Sequence, residues 1–136
     1  MDLTKIAIDG NKEKNGVWVE LDEETQLLIG RINSPQFTRL AASLRKPYAR
    51  QIENNLLSDK KKSAIAAKLY SETVLLGWNN LKIDGQDVPY SKPKCKEILA
   101  DDRFQPFFQI VSSFANDEDL FHREEIAEIV GEQQPI

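Results

Sequence analysis

The sequence predicts a mainly α, compact helical domain with one or two short β-hairpins, an α+β chain folded as a single domain over residues 1–136. Three observations predict it. From Ser34 onward apolar residues recur at three-to-four spacing, the period of a helix with one buried face. Before that point, "VWVEL" and "QLLIGRI" carry the bulky, alternating pattern of strands. The 136 residues, 40% hydrophobic and 29% charged, suit one ordinary globular core.

The elements follow in order. Residues 1–15 are polar and rich in Lys and Asn, and are expected to be flexible. Val17, Val19 and Leu21 alternate, "DEET" is a short polar connection, and Gln26–Ile32 is again strand-like, so a hairpin is expected. Ser34 caps a helix with Pro35 in its first turn, where a missing N–H costs nothing. Phe37, Leu40, Ala41 and Leu44 form its apolar face. Pro47 ends or kinks that helix. "YARQIENNLL" continues as a second short helix, with Tyr48, Ile52 and Leu56 four apart.

"SDKKKSAIAAKLYSETVLLGW" is predicted as the longest helix, capped by Ser58 or Asp59 and running to Trp78. Ile65, Leu69, Thr73 and Leu76 share one face, and Ala66, Tyr70 and Val74 widen it, which implies burial on more than one side. Gly77 marks a packing contact near its end. Asp84-Gly85 between Ile83 and Val88 signals a tight hairpin turn. Ser91 caps the next helix, with Pro93 in its first turn and Ile98 and Leu99 inward. "DDRFQPFFQIVSSFAND" is a further helix with a stripe of Phe104, Phe107, Phe108, Val111 and Phe114. "DEDLFHREEIAEIVGEQ" is predicted as the last, with Leu120, Ile126 and Ile129 packing and Gly131 as C-cap. Residues 132–136 are expected to fray.

Composition excludes some functions. The net charge is −4 and the isoelectric point about 5.1, which argues against a general phosphate-backbone binder. A single cysteine, Cys95, rules out an intramolecular disulfide and a Cys-rich metal centre. No run approaches the roughly 18 apolar residues of a membrane span, and the first residues lack a signal-peptide core. The expected location is the cytoplasm.

Each motif with chemical potential has a plainer reading. Aligning Gly85 with the glycine of a calcium loop puts Lys82 at a ligand position and Ser91 where a bidentate glutamate belongs, so the hairpin reading stands. Cys95 lies among Lys92, Lys94 and Lys96, which can lower a thiol pKa. The single histidine, His122, is far off in sequence, and a structural thiol is the better reading. His122 and Glu125 have i, i+3 metal spacing but supply only two ligands of the three or four that zinc takes. Asp101-Asp102 read as a helix cap. No phosphate loop and no catalytic constellation is present, so no enzyme, cofactor or metal is expected.

Charge layout is the remaining signal. Residues 39–68 hold eight basic against two acidic residues, a net of +6, and residues 116–136 hold one basic against seven acidic, a net of −6. Most of these are solvated helix faces. The sharper reading is a homo-oligomer in which the basic middle, with Arg45, Lys46 and Arg50, meets the acidic end of a neighbour, with Glu124, Glu125 and Glu128. Such head-to-tail contacts build rings or filaments.

Three stretches then carry a family likeness: "RINSPQFTRLAASLRKPYARQI", "SETVLLGWNNLKIDGQDVPYSKPKCKEIL" and "DRFQPFFQIVSSFANDEDLFHREEIAEIV". An N-x-x-x-F start, an "RKPY" break, an "ETVLLGW" end, a "DG…VPYS" hairpin into a helix, an "IxxDxRF" step and an acidic end follow in order over about three quarters of the chain. In this pattern the chain resembles the phage tail assembly chaperones, encoded in tail modules of long-tailed phages and prophages. The resemblance implies a non-enzymatic assembly factor. It would coat the helical, aggregation-prone tape measure protein, help recruit tail tube subunits, and leave before the tail is complete, so it is not expected in the mature virion. Members of this family often exist also in a longer, frameshifted form that contacts the tube subunit, and this chain would correspond to the short form. A helical client needs apolar anchors. Trp78, Tyr90, Phe107, Phe108 and Phe121 are the candidates, with some of the three phenylalanines expected to be exposed. The alternative is a small prophage-encoded nucleic-acid-binding module using the basic 39–68 segment, which the net acidity disfavours.

Overall fold

The computed structural model of the chain describes residues 1–122. Its centre is a three-stranded antiparallel sheet of β1 (Val17–Glu20), β2 (Gln26–Ile29) and β3 (Leu75–Asn79), in that spatial order. Pairing of Val19 with Leu27, Leu27 with Trp78, and Ile29 with Leu75 puts all five side chains on one buried face. The other face carries the row Trp18, Leu28 and Gly77. A Cβ at Gly77 would sit in ordinary van der Waals contact with Leu28 and the ring of Trp18.

The strand β3 corrects the sequence reading. The long helix, α4, runs Asp59–Thr73 and stops; "LLGWN" is a strand and not the helix end. The reason is tertiary. The exposed edge of β2 needs hydrogen-bond partners, and Val74 already accepts from Gly30 N at 2.7 Å. Gly30 permits that approach, because a Cβ there would collide with the Thr73 carbonyl oxygen.

The helices pack on the inner face of the sheet. α2 (Pro35–Arg45) starts at Ser34, whose buried hydroxyl accepts from Phe37 N. Lys46–Tyr48 form a 3-10 turn at Pro47, and α3 (Ala49–Glu53) is only five residues long. α4 is capped by Ser58 and packs against α2, β3 and α5 (Lys92–Ala100), so it is covered on more than one side. α5 is capped by Ser91 with Pro93 in its first turn. A 3-10 turn at Asp102–Phe104 leads into α6 (Gln105–Ala115). The second hairpin, β4 (Lys82–Ile83) and β5 (Gln86–Asp87), turns on Asp84 and Gly85, both at positive φ, the signature of a type I′ turn.

The opening segment, expected to be flexible, instead carries a 3-10 turn at Leu3–Ile6 and a short helix α1 (Gly10–Asn15) capped by Asp9. It is joined to the far end of the described chain. Ile8 bridges His122, Asp9 N donates to Phe121 O at 2.8 Å, and Lys12 Nζ donates to His122 O at 2.9 Å. Residues Glu118–Phe121 form a 3-10 turn where an α-helix was expected to begin. Ile126, Ile129, Gly131 and the rest of that expected helix lie outside the described residues.

Candidate functional site

Among the described residues, two apolar surfaces are open. The first follows from Pro47. Its missing N–H and fixed φ end α2 and turn the chain into a helix too short to cover the α2–α4 face. Asn55, at positive φ, then ends α3 and returns Leu57 to the core. What is left is a cleft of about 460 Å³ with Phe37, Ile52, Leu57, Ile65, Leu69 and Tyr70 in its walls, and the exposed Arg45 and Lys62 beside them. A second depression of about 450 Å³ adjoins it between α2 and α3, sharing Arg45 and Ile52 and adding Lys46. Ile52 is 40% exposed and Leu56, next to Leu57, is 73% exposed.

Cations gather at this corner. Among the described residues, Arg45, Lys46, Arg50, Lys60 and Lys61 form no ion pair, while Lys61 lies 5.1 Å from the centre of the Tyr48 ring. Their expected partners Glu124, Glu125 and Glu128 lie outside the described residues.

The second open surface is one flank of α6. Val111 and Ala115 are buried. Phe107, Ile110 and Phe114, at i, i+3 and i+7, lie to one side of them, with both rings half-buried and Ile110 40% exposed. Phe108 turns to the other side and stacks on Tyr70 at 4.5 Å. Tyr70 meets Phe37 edge-on at 6.2 Å, and its hydroxyl is 3.0 Å from Ser112 Oγ.

The other aromatic candidates, Trp78, Tyr90 and Phe121, make contacts within the fold. Phe121 is fully buried and Trp78 nearly so. Trp78 Nε1 donates to Val88 O at 2.6 Å and its ring meets Tyr90 edge-on at 4.8 Å. The Tyr90 hydroxyl donates to Leu75 O at 2.9 Å, and burial pushes its pKa up to about 12. This pair pins the second hairpin to β3. Sequence spacing does not separate such a lock from an exposed anchor, since both place an aromatic beside polar residues. Cys95 is also structural: it is fully buried near Leu75 O, and desolvation raises its thiol to about 12 despite the nearby lysines.

One constellation was not visible in the sequence. Arg31, after β2, donates Nη1 to Glu13 Oε2 at 2.8 Å and grips both Glu118 oxygens through Nη2 at 3.0 and 2.9 Å. Burial acts to lower the Arg31 pKa, but the bonds from Glu118 and Glu13 outweigh it and raise it overall. The three residues are 18 and 87 positions apart, so no local pattern announces them. His122 is buried, its Nδ1 has no hydrogen-bond partner among the described residues, and it lies 3.9 Å from Asp119 Oδ1.

With this geometry in hand, comparison with known families is specific. The family model described as YdaY prophage protein matches residues 32–132, about three quarters of the chain. The chain belongs to the YdaY prophage protein family. The match begins just after Arg31 and takes in the cleft, the second hairpin and α6. Comparisons with curated proteins and with solved structures found no match. Among the described residues no helix is long and apolar enough to cross a membrane.

Proposed function

We propose that this prophage protein is a non-enzymatic tail assembly chaperone that binds the tape measure protein and helps recruit tail tube subunits while the tail is built. The observation that carries the reading is the open flank of α6. Phe107 and Phe114 pack against the core with part of each ring left in solvent, and Ile110 between them is exposed. A rigid helix presenting apolar residues at i, i+3 and i+7 matches the stripe of a helical client, which shields both from water. Phe108, bound to Tyr70, holds the helix in place instead of reaching the client. Contact with the tube subunit belongs to a longer frameshifted form.

The test is co-expression with the tape measure protein of the same tail gene cluster, followed by pull-down and sizing. A soluble complex, with the client insoluble alone, is expected. Ile110→Ser should weaken that complex with little change in the melting temperature. No complex, or a complex indifferent to Ile110 and Phe107, would overturn the reading. A second reading has one observation in its favour, the cations collected around the cleft. A nucleic-acid module would show duplex binding that falls steeply with salt, and Arg45→Glu with Lys61→Glu would abolish it.

A further inference from the structure

Besides the cleft and the α6 flank, the sheet has a free edge. We propose that the outer edge of β1 takes up an extended, basic segment of another protein as a fourth strand. The ladder bonds fix which groups are available. Leu21 N donates to Thr25 O at 2.8 Å, so Val19 and Val17 in turn face β2, and the N–H and C=O of Trp18 and Glu20 point away from it. Among the described residues β2 is the sole strand paired with β1. The opposite edge of the sheet is closed by side chains: on β3 the Leu75 carbonyl accepts from the Tyr90 hydroxyl, and the Trp78 indole is tied to Val88 O. An unpaired edge is a template for a further strand.

The side chains around this edge define the occupant. Trp18 is 50% exposed, and its ring reaches across β2 to Gly77 on the outer face, so the indole is seated on the sheet yet open to a partner. Residues 17–29 hold no basic residue against four acidic ones, Glu20, Asp22, Glu23 and Glu24, a net of −4. Asp22 accepts from the backbone N–H groups of Glu24 and Thr25. Glu20, Glu23 and Glu24 form no ion pair among the described residues. Lys82 and Asp87, which share a depression with Glu23 and Glu24, offset one another in charge. A strand laid along β1 would set alternate side chains beside Trp18 and Glu20, and the others beside Val17 and Val19. Lys or Arg fits the first set, over the indole and against the carboxylate, and apolar residues fit the second.

Charge disfavours the other occupants. Edge-to-edge pairing with β1 of a second copy would bring together two hairpins of net −4 each. Residues 116–136 of the chain, at net −6, are repelled for the same reason, as is nucleic acid. Residues 39–68 have the right sign, at net +6, but they belong to α2, α3, α4 and the turns between them, whose backbone groups bond within the helices. The hairpin also precedes residues 32–132, so this edge lies outside the part of the chain matched to the YdaY family.

Amide NMR of the full chain, titrated with a short capped peptide of alternating Arg and Val, tests this. Shift changes centred on Trp18 and Glu20 are expected, with slower hydrogen exchange at those two amides and an affinity that falls in high salt. Glu20→Lys with Glu23→Lys should lower the affinity about tenfold or more while the melting temperature stays near that of the wild type. Methylating the peptide nitrogens that face β1 should also lower it, a loss that a purely electrostatic contact would not show. No binding at about millimolar peptide overturns the proposal, as do equal binding of a Glu–Val alternation, indifference to methylation, or shift changes centred on α6 or the cleft. Slow exchange at Trp18 and Glu20 in the protein alone overturns it too: if independent of protein concentration, the chain already covers its own edge, and if dependent on it, a second copy does.

Discussion

The two halves of α4 are built to different standards. Its second half, with Ala67, Leu69, Tyr70, Ser71 and Thr73 buried, lies in a packed layer between α2, α5 and the sheet. Polar groups there are satisfied internally: Thr73 Oγ1 donates to Leu69 O at 2.7 Å and Ser71 Oγ to Lys68 O at 3.0 Å. Its first half, Asp59–Ala66, carries three consecutive lysines and, together with Leu69 and Tyr70 of the second half, borders the open cleft. One helix is thus closely packed at one end and more open at the other. Substitutions in the second half should cost more stability than those in the first.

The largest effect should come from the closed side. Leu75→Ala removes a fully buried side chain opposite Ile29, where the sheet, α4 and Tyr90 converge. A loss of about 3–4 kcal/mol in urea unfolding is expected. An effect below about 1 kcal/mol would mean that this side relaxes as freely as the open one. Gly30→Ala should follow at about 3 kcal/mol, because the new Cβ meets backbone at Thr73 and has no flexible side chain to push aside. Far-UV and near-UV circular dichroism of that variant would show whether β3 separates from β2.

The Arg31 clamp comes next. Arg31→Ala breaks its bonds to Glu13 and Glu118, both partly exposed to water, and should cost about 1–2 kcal/mol. Hydrogen exchange should rise first at Asp9 N, which donates to Phe121 O. Uniform loss of protection would show instead that the clamp belongs to the global core.

A smaller effect is expected from Glu72, which sits at the closed end of α4. Lys68 and then Lys92 hold its carboxylate below the ordinary glutamate value. Its folded pKa is depressed, so its contribution is present above the unfolded value and is lost as pH falls through the folded one. Glu72→Gln should leave a flatter acid limb in a stability–pH titration, with the difference from wild type vanishing at the lowest pH. On the open side, Leu56→Ser should change stability by no more than about 0.5 kcal/mol. A large loss of stability there would erase the contrast between the two halves.

Much of the architecture was legible because local chemistry specified it. Ser34, Ser58 and Ser91 each accept a backbone N–H three residues on, and each was readable as a cap from its position before an apolar repeat. Asp84-Gly85 takes positive φ at both positions, which those residue types tolerate best. The site was less legible. Phe107, Phe108 and Phe121 look alike in sequence, yet one lies on an open flank, one stacks on Tyr70, and one is fully buried. The difference lies in which neighbours reach each ring, and those neighbours are remote in the chain.

Caps, turns, the charge asymmetry and the helical class were therefore written in the sequence itself, since each rests on residues within a few positions of one another or on composition. Whether Leu75–Asn79 would extend α4 or join the sheet was decided by the unpaired edge of β2 and by room at Gly30. The clamp of Arg31 on two distant glutamates, and the cleft left open by a short α3, were decided the same way. These depend on contacts between segments far apart in the chain, and burial and hydrogen-bond demand select among them only when the whole core assembles.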